Sequence, residues 1–272
     1  MVGRHGWRVG LAVLVAFSMP WMALGAVATA PVYDHVSSEV GALFHASSNS
    51  TNWAGYAVSG AKNSVSFVNG SWIVPSIVGK CPTKAQYSSF WVGIDGYSST
   101  TVEQTGTDSD CAHGSPSYYA WYEFYPAGSV RISTLKISAG NTVYASVSYS
   151  TTTAKFTVLL KDITTGKSFT TSSSVTSAQR SSAEWIAEAP SSTRGILPLA
   201  DFGTVDFGYD YTSVASSCAA TIGGTTALMG TFSGLTSINM VSTHSSSTVK
   251  ASTSAVSTDS TSFTVTWKNA GP

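Results

Sequence analysis

The amino-acid sequence predicts an all-β protein built as an antiparallel β-sandwich or jelly roll. Three observations carry that reading. Short apolar or aromatic runs recur at close intervals, clusters of Gly, Ser, Asp and Pro separate them, and no stretch shows convincing helical periodicity. Many short strands joined by turns must bury one sheet face against another, and two packed sheets solve that problem. The chain has 272 residues, enough for one such domain with a sizeable core. It shows no internal repeat and no interdomain linker.

Residues 1–28 read as a secretory signal peptide. Arg4 and Arg8 open it, an apolar run extends from Gly10 to Leu24, and small residues follow, with cleavage sites offered by Ala23-Leu24-Gly25 and Ala26-Val27-Ala28. The run is short for a bilayer span of about 20 residues, and Pro20 interrupts it. Export is expected, with no membrane association after the leader is removed. Residues 29–48 carry His35 and His45 but no Lys or Arg, and read equally as a short pro-segment or a flexible terminus. The β domain is placed at 49–272.

Within it, strands are expected at 64–74, 87–95, 101–106, 118–125, 130–137, 142–149, 154–161, 168–172, 183–188, 201–209, 225–232, 236–242 and 261–268. Asn69-Gly70 and Thr164-Thr165-Gly166-Lys167 carry hairpin-turn chemistry. Alternation divides the strands at the centre of the chain. Phe90, Val92 and Ile94 share one face, against Trp91, Gly93 and Asp95 on the other; Ala120, Tyr122 and Phe124 oppose Tyr119, Trp121, Glu123 and Tyr125. One face is greasy. The other mixes rings with carboxylates, which suits either the floor of a polymer-gripping groove or half-buried strands with acids at loop ends.

Only 10% of the residues are charged, against roughly 25% in ordinary globular proteins. Lys plus Arg and Asp plus Glu balance at 14 each, so no basic stripe points to nucleic acid. Few charges also leave little to lose when carboxylates are protonated, so acid tolerance is expected. Three cysteines, Cys81, Cys111 and Cys218, fall after the leader, and an exported chain is expected to form a disulfide. If 87–95 and 101–106 form a hairpin turning near Gly96-Tyr97-Ser98-Ser99, Cys81 and Cys111 emerge together at its open end. That pairing leaves Cys218 over.

The common catalytic sets are absent: no Gly-x-Ser-x-Gly elbow, no His-Glu-x-x-His, no phosphate loop, no Asp-Thr-Gly or Asp-Ser-Gly. Only His113 and His244 fall in the domain, each in a polar loop. Carboxylates on expected strands remain: Asp95, Glu123, Glu184, Glu188 and Asp201. Glu184 and Glu188 share a strand face, with Trp185 on the other. Paired carboxylates suit hydrolysis, though two edge acids in solvent would look the same.

Asn52-Trp53-Ala54-Gly55, Phe90-Trp91-Val92-Gly93-Ile94-Asp95-Gly96, Gln104-Thr105-Gly106, Tyr119-Ala120-Trp121-Tyr122-Glu123-Phe124-Tyr125-Pro126 and Ala183-Glu184-Trp185-Ile186 occur in that order. Each is weak alone; together, over about residues 50–268, they resemble the glutamic peptidases, or eqolisins. The resemblance implies a lectin-like sandwich, a secreted acid endopeptidase acting on proteins or peptides, and no metal or organic cofactor. It implies Gln104 and Glu184 as the catalytic pair. Glu184 would be base and then acid, with a carboxylate pKa near about 4.3, and Gln104 would orient water and donate to the oxyanion.

By the same resemblance Trp91, Asp95, Trp121, Glu123 and Tyr125 line or support the cleft, with Glu188 beside them. Two departures stand out. Fungal members carry Asp where this chain has Tyr119, which bears on the local hydrogen bonds and the pH optimum. Their pro-segments are also longer and basic. The rival readings are a jelly-roll glycoside hydrolase using Glu184 and Glu188, and a non-catalytic lectin-like module. A monomer is the default for a secreted hydrolase.

Overall fold

A computed structural model describes residues 47–271. The leader expected at 1–28 and all but the end of the 29–48 bridge lie outside the described residues. The strands run β1 (Ser48–Ser50), β2 (Trp53–Ser59), β3 (Val65–Ile73), β4 (Ser89–Ile94), β5 (Glu103–Ala112), β6 (Ser115–Phe124), β7 (Ala127–Arg131), β8 (Thr142–Ser150), β9 (Lys155–Asp162) and β10 (Ser168–Ser173). They continue as β11 (Ser182–Glu188), β12 (Ser191–Ser192), β13 (Gly195–Ile196), β14 (Thr204–Gly208), β15 (Ala219–Ile222), β16 (Thr225–Leu228), β17 (Leu235–Val241), β18 (Val249–Thr253) and β19 (Ser262–Trp267). One helical turn, α1 (Tyr209–Thr212), follows β14. No helix among the described residues is long and apolar enough to cross a membrane.

Pairing sorts these strands into the two layers of a sandwich. One layer runs β1-β17-β2-β11-β4-β5-β6-β7, antiparallel except at the β1–β17 edge. The other runs β10-β9-β8-β3, and β3 then pairs with both β14 and β15. β14 leads on through β19 to β18, which also pairs with β17 and so joins the layers at one side. Between them lie Trp72, Phe90, Val92, Ile94, Phe156, Trp185, Phe207 and Phe263, all buried. Burying each such side chain contributes roughly 1.5–3 kcal/mol. Phe207 and Phe263 stack with ring centroids 4.8 Å apart.

Asn69-Gly70 is not a turn: both residues lie inside β3. Their chemistry serves close approach instead. A Cβ at Gly70 would stand 2.8 Å from a Val92 methyl and 3.0 Å from the Trp185 ring. Trp185 Nε1 donates to the Asn69 carbonyl at 2.6 Å, and the Asn69 side chain accepts from Ala219 N at 2.9 Å and donates to Ser216 O at 3.0 Å. The strand expected over 130–137 ends at Arg131, and Ile132, Leu135 and Ile137 enter the core from a loop. β5 runs on to Ala112 through a polar stretch of low strand propensity, because β6 pairs with it along its whole length.

Thr164-Thr165-Gly166-Lys167 does turn between β9 and β10, and β4 and β5 form the expected hairpin. At its open end Gln86 and Cys111 extend the ladder, and Cys81 and Cys111 are bonded with Cα atoms 5.3 Å apart. Cys218 is a buried free thiol.

Candidate active site

The register of four adjacent strands draws one line of side chains across the outer face of the first sheet. Glu184 on β11 stands opposite Gly93 on β4, Gly93 opposite Gln104 on β5, and Gln104 opposite Glu123 on β6. Strands lie about 4.8 Å apart, so the Glu184 and Gln104 backbones are roughly 10 Å apart with only a glycine between them. A Cβ at Gly93 would come within 3.2 Å of Gln104 Cβ and 3.0 Å of the Trp91 ring. The missing side chain therefore opens a gap flanked by a carboxyl and an amide.

Gln104 Nε2 donates to Glu123 Oε2 at 2.6 Å. A carboxylate attracts the NH2 end of an amide and repels its oxygen, so Glu123 fixes which way the Gln104 amide points. Glu184 is fully buried, and no hydrogen bond of ordinary geometry reaches either of its oxygens among the described residues. Burial pushes its pKa well above the ordinary value. The nearby Ser182 hydroxyl and Tyr97 backbone N–H pull it down, while the charges of Asp95 and Glu103 push it further up. The ordinary carboxylate value expected from the sequence therefore does not hold: this face is drier than an open groove, and the neutral acid is favoured.

Glu188, four residues along β11 on the same face, has a different environment. Trp91 Nε1 donates to its Oε2 at 2.7 Å and Asn52 Nδ2 to its Oε1 at 3.2 Å. Burial raises its pKa too, against those donors. Glu188 thus anchors the indole of Trp91, which meets Trp53 edge to face at 5.0 Å. Trp53, Trp91, Trp121, Val102, Ile186 and Ile238 form a small apolar cluster on this face, with Tyr97, Tyr119 and Tyr125 half-buried against it.

Asp95 and Asp201 lie outside strands, correcting their expected placement. Asp95 follows β4 with φ of 72° and accepts from the backbone N–H of Gln179, Arg180 and Ser181 at 2.7, 2.6 and 2.8 Å. It clamps the loop that leads into β11 and so positions Glu184 through the backbone. Asp201 accepts from Gly203 N at 3.0 Å, outside the line of site residues.

Further along the face, sequence reasoning missed a polar cluster, because it ended the strand at 106. Asp108 and Asp110 continue the alternation of Gln104 and Gly106. Ser89 Oγ donates to Asp108 at 2.6 Å, and the Tyr119 hydroxyl donates to Asp110 at 3.1 Å. Tyr119 therefore acts as a donor to an acid supplied by β5. Burial and the neighbouring Asp108 raise Asp110 well above the carboxylate range, while Ser88, Tyr119 and Arg131 oppose them. The Arg131 guanidinium lies 4.4 Å over the Tyr119 ring. Trp53, Asp108 and Asp110 were findable by extending the strands and reading their alternation; Arg131 was not, since it depends on the register of β7.

An all-β sandwich that sets a glutamine amide and a glutamic acid on either side of a side-chain-free position is the architecture of a hydrolytic site. A model of the Peptidase A4 family matches residues 51–267, and the chain belongs to that family. Aspergillopepsin-2 of Aspergillus niger is 31% identical over 198 residues, covering 65% of this chain and 66% of the relative. Scytalidopepsin B of Scytalidium lignicola is 36% identical over 143 residues, covering 51% of each. The matched segments thus span about half to two thirds of those relatives.

Among solved structures, scytalido-glutamic peptidase with a transition state analog inhibitor superposes with a TM-score of 0.64 at 26% identity. That match covers 80% of this chain and 98% of the other. Aspergilloglutamic peptidase from Aspergillus niger gives a TM-score of 0.55 at 30% identity over 67% of this chain and 99% of its own.

Proposed function

We propose that the chain is a secreted acid endopeptidase that cleaves protein and peptide substrates with Glu184 and Gln104 as its catalytic pair. The observation that carries the reading is the line Glu184–Gly93–Gln104–Glu123, with its gap at Gly93. A water in that gap would lose its proton to ionised Glu184 while its oxygen attacks the scissile carbonyl. One Nε2 hydrogen of Gln104 is held by Glu123; the other N–H is the donor for the developing oxyanion, and the amide oxygen is the acceptor for the water. As the C–N bond breaks, Glu184 returns the proton to the leaving amine.

Burial makes the ionised form of Glu184 scarce in acid but strongly basic once formed, so the rate should climb with pH through its raised pKa. The residues present need no further group for this chemistry. Export rests on the leader-like residues 1–28, and a monomer remains the expected state. The peptide-based transition state analog bound by scytalido-glutamic peptidase supports a peptide substrate here. Paired-carboxylate glycoside hydrolysis is less well served, because Trp91 and Asn52 occupy the Glu188 carboxyl.

Digestion of an unfolded protein at about pH 2–6, in the presence of pepstatin and a chelator, tests the reading. Wild type should cleave, while Glu184→Gln and Gln104→Ala should lose on the order of 100-fold or more. Normal cleavage by Glu184→Gln would overturn it.

A further inference from the structure

We propose, building on the peptidase reading, that Arg131 forms a carboxylate-selective substrate subsite remote from the scissile bond. The strands of the first sheet contain five carboxylates on the site face, Glu123, Glu184, Glu188, Asp108 and Asp110. Arg131 is the sole Lys or Arg in those strands. It sits at the end of edge strand β7, paired in register with Trp121 on β6, and its side chain is exposed. The row that it ends runs Ile186–Trp91–Gly106–Trp121–Arg131, next to the line that holds Gln104 and Glu123.

Two features suit it to a ligand. The Tyr119 ring lies 4.4 Å beneath the guanidinium, which holds the fork in place by cation–π attraction and leaves its N–H edge available for planar, two-pronged contact with a carboxylate. The nearest acids on β5 are engaged elsewhere, Asp108 by the Ser89 hydroxyl. From β5, Asp110 is pushed well above the carboxylate range by burial and by Asp108, and it accepts the Tyr119 hydroxyl; from β6, Tyr119 and Trp121 carry no charge there. Arg131 therefore stands as an exposed positive centre at the edge of this face.

Three strand spacings and two to four residues of offset place the guanidinium roughly 15 Å from the gap at Gly93, the reach of about four to five residues of extended peptide. The predicted ligand is a carboxylate at that distance from the cleaved bond, carried by an Asp or Glu side chain or by a substrate C-terminus.

Matched peptides test this, with Glu or Gln placed at each of the five positions on either side of one cleaved bond, each with a free or an amidated C-terminus. For wild type at about pH 5, one position four to five residues away should favour the carboxylate in kcat/KM by about three- to tenfold. The ratio should fall towards one at about pH 3, where a substrate Glu is protonated. Arg131→Gln should abolish the ratio and Arg131→Lys should retain part of it, with thermal unfolding confirming that both fold.

A preference that follows the free C-terminus instead of Glu assigns the same site to terminal carboxylates. An equal Glu-to-Gln ratio in wild type and Arg131→Gln overturns the subsite and leaves Arg131 as a counter-charge to Asp110. Absence of cleavage of every peptide by wild type would instead count against the peptidase reading itself.

Discussion

The two faces of β11, β4, β5 and β6 are made by alternate residues of the same strands, yet they obey different rules. On the inner face Phe90, Val92, Ile94, Ala120 and Trp185 pack against the second sheet, and the one indole nitrogen there finds a backbone carbonyl. On the outer face Trp91, Gln104, Glu123, Glu184 and Glu188 are just as buried, but several are acids in dry surroundings. The inner face is arranged for stability. The outer face holds carboxyl groups poised to change protonation, at a cost in stability that the inner face offsets.

Glu103 breaks the division: it points to the inner side beside Ile94 and Phe124, and neither of its oxygens has a hydrogen-bond partner among the described residues. Burial, helped by the charge of Asp95, pushes its pKa up to about 9.

Substitutions on each face should sharpen this contrast. The largest effect is expected from Trp185→Ala on the inner side, which should cost about 3–5 kcal/mol in chemical unfolding. A cost below about 1 kcal/mol would mean that the inner layer does not carry the fold. Gly93→Val, on the outer side, should fold but lose at least about 100-fold in kcat/KM, because its side chain fills the gap between Glu184 and Gln104. Retention of activity within a few-fold would move the chemistry elsewhere.

Third comes pH. Glu103, Glu184, Glu188 and Asp110 hold protons in the folded state that the unfolded chain releases above about pH 4–4.5. Their contribution to stability is fully present below that pH and is lost as pH rises through the folded values, reaching about 9 for Glu103. The protein should therefore melt highest in acid and progressively lower towards neutrality. Glu103→Leu should recover about 2 kcal/mol at pH 7 and gain much less at pH 3. An equal gain at both pH values would show that Glu103 is not held protonated. The smallest effect is expected from Trp91→Phe, which deletes the donor to Glu188 and should cost about 1–2 kcal/mol.

The same contrast explains how far the sequence could be read. Alternation of period two separates Phe90 from Trp91 and Trp185 from Glu184, so the sandwich and the two faces were legible. The motif resemblance then singled out Gln104 and Glu184, which the register sets either side of Gly93. Local chemistry misled where tertiary contact overrides it. Asn69-Gly70 has turn composition, but Val92 and Trp185 press against Gly70, and β3 runs straight through.

Strands made of small or polar residues, such as β15, β18 and the end of β5, exist because a neighbour pairs with them, and no pattern of their own announces that. The raised pKa of Glu184 was out of reach for a similar reason. Desolvation depends on everything packed around a group, whereas sequence supplies only the group.

The most direct test of the central claim is the pH dependence of kcat/KM for one small peptide, measured for wild type and Glu184→Gln. The expected result is a rising acid limb whose apparent pKa lies above the ordinary carboxylate value of about 4.3, present in wild type and absent with the residual activity of Glu184→Gln. A limb at or below that value, or the same limb persisting in Glu184→Gln, would show that the buried carboxyl of Glu184 is not the base.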